Sequence, residues 1–233
     1  MTNTATFRRA AAAAGLVSTA VIMAVATVLS PEFPSGFADR LAAIEAGGTG
    51  ALVSGYAFTL AQLPFLAGVL GIGHLLRNRS PRLSNLGTTL AVVGIFGHAV
   101  HGGVTAMQVE MAADTANRDA HAAILEGLES GPAVMFMAMG LLGTVLGILL
   151  LSIGLFRAHV GPRWIGPALW AFLVVEFAGS AVSDWSLHLA GLLFTVSLGA
   201  LGVVVWRTPE SAWALPAAPS AEASRVPTVS SDA

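Results

Sequence analysis

Five residues within the apolar stretches of this chain carry groups that bind ligands or move protons. His98 and His101 are three residues apart, so they project from the same side of a helix. Glu176 and Ser180 are four residues apart and share a helix face in the same way, and Gln62 lies in an earlier stretch. Ionisable side chains inside apolar segments are costly and are functional hypotheses by default. The sequence predicts a polar pocket with Glu176 and His101 as principal ligand-binding residues and the other three in support.

Three interpretations of this set remain open. Glu176 and a histidine could hydrogen-bond across helices and fix their register. The set could instead line a cavity that binds or conducts a proton, an ion or a small polar ligand. It could also hold a divalent metal through His98, His101, Glu176 and His188, or a haem between His101 and His188.

Six long apolar stretches must position these residues. Hydrophobic residues make up 55% of the 233 residues and charged residues 10%, whereas a soluble domain carries about 25% charged residues. A membrane span needs about 20 apolar residues and must satisfy its own backbone hydrogen bonds, which makes it helical. The sequence predicts an all-α polytopic membrane protein. Its six predicted spans are 10–29, 52–76, 86–107, 132–156, 164–182 and 187–206.

The arginines predict the orientation of these spans. The 11 basic residues are all arginine, and most flank the same side of the predicted bundle, while the alternate loops are acidic. Only Arg40 and Arg118 break the pattern. The positive-inside rule then predicts a bacterial cytoplasmic (inner) membrane protein with both termini in the cytoplasm. A cleaved signal peptide is the alternative interpretation of the first span.

The segments outside the spans differ in character. Residues 1–9 are predicted to be a cytoplasmic N-terminal segment, and the Ala-, Pro- and Ser-rich residues 207–233 a disordered cytoplasmic tail. The outer loops are predicted at 30–51 and 108–131, each with a helical pattern, and together they are expected to cap the outer mouth of the bundle.

A ridge of glycines and a weak internal repeat bear on how the helices pack. Gly143 and Gly147 form a G-x-x-x-G ridge, which we expect to contact a neighbouring helix of the same protomer, with a homo-oligomer seam as the alternative. Ile72-Gly73 and Pro81-Arg82 recur as Ile153-Gly154 and Pro162-Arg163 at a fixed offset. This repeat predicts two similar hairpins that form a four-helix core.

The stretch LSIGLFRAHVGPRWIG at residues 151–166 resembles the pattern Leu-x-x-Gly-Leu followed by Pro-Arg-x-x-Gly. That pattern is found in an uncharacterised family of six-helix bacterial membrane proteins. The resemblance implies a six-helix fold. It supplies no activity, cofactor or site residue.

Several function classes are excluded by composition. The chain has no cysteine, which excludes thiolate metal sites and cysteine nucleophiles, and no lysine, which excludes a Schiff base. A net charge of −2 offers no basic surface for nucleic acid. No catalytic hydrolase or phosphate-binding motif occurs. We therefore expect a small transporter-like or ligand-binding protein without enzymatic chemistry, whose partners are the lipid bilayer and a small ligand or ion. The alternatives are a haem- or metal-binding redox protein or enzyme, and a structural or assembly subunit of a membrane complex.

Overall fold

A computed structural model of the chain describes residues 4–31, 34–179, 183 and 185–214. These residues form seven α-helices and two short 3₁₀ turns, with no strand among them, so the predicted all-α fold is confirmed. The helices are α1 (Thr4–Leu29), α2 (Phe37–Leu76), α3 (Pro81–Ala113), α4 (Arg118–Ser130), α5 (Val134–Arg157), α6 (Ile165–Ala178) and α7 (Ser186–Arg207). The 3₁₀ turns are Thr115–Asn117 and Glu210–Trp213.

Five of the described helices (α1, α2, α3, α5 and α7) are long and apolar enough to cross a bilayer, as those of a membrane protein are. The fifth predicted span corresponds to α6, which has only 14 residues. At ~1.5 Å per residue, α6 is about 21 Å long, shorter than the ~30 Å of hydrocarbon. It ends at Gly179, where an added Cβ would lie 2.6 Å from the Cβ of Ser186 on α7. The predicted count of six spans is therefore not confirmed.

Six helices pack side by side in a closed ring. α1 contacts α2 and α7, α3 lies between α2 and α5, and α6 completes the ring between α5 and α7. One hydrophobic core draws side chains from all six, including the almost fully buried Leu16 of α1 and Leu201 of α7. The predicted four-helix core is not confirmed, because the first and last helices of the ring share the same core. Exposed side chains such as Val28, Leu63 and Val174 give the outside of the ring an apolar surface that suits lipid.

Helices α3 and α5 approach so closely that their backbones touch. A Cβ built on Gly143 of α5 would lie 2.5 Å from the Gly94 nitrogen of α3. One turn further along α5, a Cβ on Gly147 would lie 2.5 Å from the Ala91 nitrogen. Small residues allow such close helix contacts in membrane proteins. The predicted contact of this glycine ridge with a helix of the same protomer is confirmed.

Hydrogen bonds from side chains join neighbouring ring helices. The Ser54 hydroxyl of α2 donates to the Ala26 carbonyl of α1 over 2.8 Å. The Ser84 hydroxyl of α3 donates to the Gly73 carbonyl of α2 over 2.7 Å. On the far side of the ring, the Trp170 indole of α6 donates to the Ser152 hydroxyl of α5 over 2.8 Å. These bonds help to fix the register of the ring.

Two helical segments pack together at one end of the ring and form what is here called the cap: residues 37–47 of α2, and α4. Leu41 and Ile44 of the first segment and Leu125 of the second join a separate apolar cluster. Gly48 separates the first segment from the rest of α2 with a φ of 50°, a left-handed conformation that suits glycine. The predicted cap is therefore present among the described residues.

The outer loops and the N-terminal segment predicted outside the spans are mostly helical in the structure. The predicted loops 30–51 and 108–131 are largely helical, because α2 begins at Phe37 and α3 continues to Ala113. Residues 4–9 of the predicted N-terminal segment likewise belong to α1.

Two ion pairs explain the arginines that break the charge pattern. Arg40 of α2 lies 3.7 Å from Glu129 of α4. Arg118, the first residue of α4, pairs with Glu45 of α2. Both arginines therefore bridge the two segments of the cap.

The prediction of a disordered tail from residue 207 is wrong for residues 208–214. The 3₁₀ turn Glu210–Trp213 packs against α1 and α2, and Trp213 is 1% exposed. Its indole stacks on the His74 ring at 5.0 Å, while Arg77 donates to the Ala212 carbonyl over 3.3 Å. Average composition conceals this contact, because a single tryptophan hardly changes the average of a segment rich in small residues. Residues 215–233 lie outside the described residues.

Candidate functional site

A cavity of about 470 Å³ lies inside the ring toward the cap, and all six ring helices contribute to its lining. Four of the five predicted ligand-binding residues line it: Gln62, His98, His101 and Glu176. The fifth, Ser180, lies outside the described residues. Residues that are far apart in the sequence therefore share one cavity, as the predicted polar pocket requires.

The two histidines enter the cavity from α3. His98 and His101 are each half-buried and lie on adjacent turns of the helix. The His98 ring meets the Phe58 ring of α2 edge to face, with centroids 5.4 Å apart. A Cβ built on Gly140 would lie 3.2 Å from the backbone nitrogen of His98, so His98 also adjoins the close contact between α3 and α5.

Gln62 and Thr144 supply neutral polar groups from α2 and α5. Gln62 is 6% exposed, and its amide nitrogen donates to the Phe58 carbonyl of its own helix over 3.0 Å. The hydroxyl of Thr144 is buried and has no hydrogen-bond partner among the described residues. The cavity thus contains polar atoms that protein neighbours do not fully satisfy, which is an uncommon and costly arrangement.

Glu176 lies in the last turn of α6 and is half-buried. Within the part of the chain that the structure describes, no hydrogen bond and no ion pair joins its carboxyl group to another residue. The cross-helix bond between Glu176 and a histidine that the packing interpretation requires does not form among these residues. The carboxyl group is instead available to the contents of the cavity.

The described residues do not assemble the predicted metal or haem site. No group of three or more His, Asp or Glu side chains among them is placed to hold a metal ion. His188 is exposed, lies beside the Trp185 ring at 5.5 Å and is not among the residues that line the cavity. The geometry therefore gives no support to a metal site formed by His98, His101, Glu176 and His188. It gives none to a haem between His101 and His188 either.

Aromatic side chains form much of the cavity wall, and sequence reasoning missed most of them. Phe65 of α2, Phe172 of α6 and Phe194 of α7 all line the cavity. Phe194 stands between the other two, with ring centroids 5.9 Å from Phe65 and 4.8 Å from Phe172. Phenylalanines are common in apolar spans, so only the packing of three helices identifies these three as one surface.

Another acidic group lies outside the ring, at the turn between α3 and α4. Asp114 accepts a hydrogen bond from Asn117 over 3.0 Å and lies 3.1 Å from the His121 ring nitrogen. The bond from Asn117, followed by that from His121, holds the pKa of Asp114 below its ordinary value. This cluster adjoins α4 of the cap and does not line the cavity.

The arrangement suits binding better than covalent chemistry. The cavity offers an unpaired carboxyl group, two imidazoles, an amide and a wall of phenylalanines, while the chain has no cysteine or lysine nucleophile. Comparison with known proteins adds no further assignment, so the resemblance of residues 151–166 remains a resemblance. No family model, no curated protein and no solved structure matches this chain.

Proposed function

We propose that this chain is a six-span protein of the cytoplasmic membrane that binds a small amphiphilic ligand in its central cavity and carries it as a transporter-like protein. The observation that carries the proposal is the cavity itself, to which all six ring helices contribute polar or aromatic side chains. Its volume of about 470 Å³ falls in the range of small-molecule pockets, which are mostly apolar with a few placed polar groups.

The distribution of hydrogen bonds favours binding over a packing role for the polar residues. Ser54, Ser84 and Trp170 already link neighbouring helices by hydrogen bonds of 2.7–2.8 Å. Glu176 makes no such link to the described residues. A buried carboxyl group without a partner is costly, and such a group inside a membrane bundle is a candidate for binding a ligand.

The orientation of the protein follows from its arginines. In this proposal the end of the bundle that carries most of the arginines, including Arg77, Arg82 and Arg163, faces the cytoplasm together with both termini. The cap then faces outward, and α6 crosses as the sixth span despite its length. The ligand enters beneath the cap, where Arg40 and Ile44 belong to the cavity lining.

Filling the cavity tests the proposal. Thr105 lines the cavity on α3, whereas Met107, two residues along the same helix, is 56% exposed on the surface. Thr105→Phe should abolish saturable binding, and Met107→Phe should leave it unchanged. The probes are three phenyl-bearing molecules of similar size: tetraphenylphosphonium, tetraphenylborate and triphenylphosphine oxide. Binding is measured by equilibrium dialysis against nanodiscs with and without protein.

The outcomes of this experiment distinguish a ligand site in the cavity from a cavity that binds nothing. Saturable binding of at least one probe, at about one molecule per chain and lost only in Thr105→Phe, supports a ligand site in the cavity. If no probe binds above the empty nanodiscs, or if both variants bind like the wild type, the cavity is not a ligand site and the proposal fails. Uptake of the bound probe into proteoliposomes then tests the transporter-like role.

A further inference from the structure

One side of the central cavity combines an acid with a continuous aromatic surface. Phe172 and Glu176 are one helical turn apart on α6, so they share a face. The Phe194 ring of α7 lies 4.8 Å from that of Phe172, and the Phe65 ring of α2 continues the surface at 5.9 Å. Phenylalanine rings from three helices thus form a continuous surface that begins one helical turn from Glu176.

The two charged residues of the cavity lining do not form an ion pair with each other. These residues are Arg40 and Glu176. Arg40 lies 3.7 Å from Glu129 of the cap and also stands 4.8 Å from the Phe37 ring centroid. Glu176 has no corresponding cation among the described residues. An ionised Glu176 therefore has no ion-pair partner among the described residues.

A positively charged ligand supplies such a partner. A buried charge is costly unless an opposite charge or hydrogen bonds compensate it. Aromatic faces attract cations as well, and they do so most strongly where water is excluded. A bare metal ion does not fit this chemistry, because no group of three ligating side chains forms among the described residues and the cavity is mostly apolar.

We propose that the cavity binds a lipophilic organic cation, with its positive group between Glu176 and the phenylalanine surface and its apolar body in the rest of the cavity. This inference names the ligand class of the proposed function and rests on it. Glu176 is the counter-ion, and Phe65, Phe172 and Phe194 form the surface that attracts and covers the charge.

The charge of the probe tests the inference on the unaltered protein. Tetraphenylphosphonium and tetraphenylborate have almost the same size and shape and opposite charges, and triphenylphosphine oxide is neutral. Wild-type protein in nanodiscs should bind the phosphonium at least about tenfold more tightly than the borate or the oxide. Nanodiscs of neutral lipid without protein correct for partition of each probe into the bilayer.

Substitutions then identify the residue that causes the preference for the cation. Glu176→Gln should weaken phosphonium binding at least about tenfold while the oxide binds as before, and Glu176→Asp should retain part of the preference. Glu126→Gln is the matched control, because it removes an exposed carboxylate from the cap. Size-exclusion profiles and thermal unfolding establish that each variant is folded. If Glu176→Gln does not fold, Phe172→Leu replaces it, and it should weaken binding of the phosphonium more than that of the oxide.

Each result has one meaning. A cation preference that Glu176→Gln removes and Glu126→Gln retains supports the inference. Equal binding of the phosphonium and the oxide, preference for the borate, or a preference insensitive to Glu176 overturns it and leaves the proposed function standing. Absence of binding by all three probes overturns both.

Discussion

At the arginine-rich end of the bundle, His74 and Arg77 both reach the carbonyl oxygen of Ala212, and Trp213 covers the histidine ring. At the end beneath the cap, Glu176 and His98 make no side-chain hydrogen bond to any described residue. His74 and Arg77 therefore have hydrogen-bond partners that Glu176 and His98 lack among the described residues, although the buried indole nitrogen of Trp213 has none either. The end with His74 and Arg77, called the satisfied end for these two groups, is a scaffold, while the end beneath the cap is where a ligand gains most by binding.

The largest expected effect is at the satisfied end. Trp213→Ala should lower the free energy of unfolding by about 3 kcal/mol, because it removes an almost fully buried indole and exposes the His74 ring. Thermal or denaturant unfolding in detergent measures the change. Trp164→Ala is the control, since Trp164 is 46% exposed. Equal losses in the two variants would show that the 3₁₀ turn does not seal this end.

A substitution in the cavity is expected to stabilise the protein. Glu176→Leu should raise the free energy of unfolding by about 1–2 kcal/mol, because it replaces a half-buried carboxyl group that has no protein partner among the described residues. The same unfolding assay without ligand measures it. A loss of stability would instead assign Glu176 a packing role and remove the contrast between the two ends.

A smaller effect is expected in the cap. Arg118→Gln should cost at most about 1 kcal/mol, because both partners of the Arg118–Glu45 pair are partly exposed and exposed ion pairs contribute little. Raising the salt concentration should lower the stability of the wild type more than that of the variant, which keeps the Arg40–Glu129 pair. Arg82→Gln, an exposed arginine at the other end, is the reference. A cost well above this limit would mean that ion pairs, and not the apolar cluster, hold the cap.

The smallest effect concerns the pH dependence of the cap. Hydrogen bonds from Asn117 and His121 lower the pKa of Asp114 in the folded protein, so its contribution to stability is present above the ordinary pKa of an aspartate. That contribution is lost as the pH falls below about 4. The protection of the α4 amides against hydrogen exchange, measured relative to an unfolded chain at the same pH, should therefore fall on acidification. In Asp114→Asn this fall should disappear, whereas Asp119→Asn should behave as the wild type.

Much of the fold could be predicted because its causes are local. Long apolar stretches must be helices in lipid, and Gly143 and Gly147 occupy one face of their helix whatever lies opposite. The helical patterns of the cap are local in the same way. The tail could not be predicted well, because burial of Trp213 depends on His74, more than a hundred residues earlier in the chain.

The candidate site could likewise be predicted only in part. Gln62, His98, His101 and Glu176 stand out as polar residues in apolar stretches, and all four line the cavity. The sequence also offered His188, near the predicted membrane boundary, as a metal ligand, and it is exposed and does not line the cavity. Helical spacing establishes which residues share a face, but it does not determine which faces meet.

The sequence by itself determined the all-helical fold, the apolar outer surface suited to a bilayer and the residue types available for binding, since each follows from composition and from periodicity along one segment. The tertiary structure alone decided that six helices close into a ring around a cavity. It also decided that Phe65, Phe172 and Phe194 form one surface in the cavity that Glu176 lines as well. These features depend on contacts between distant segments, and such contacts are set by the shape and packing of whole helices.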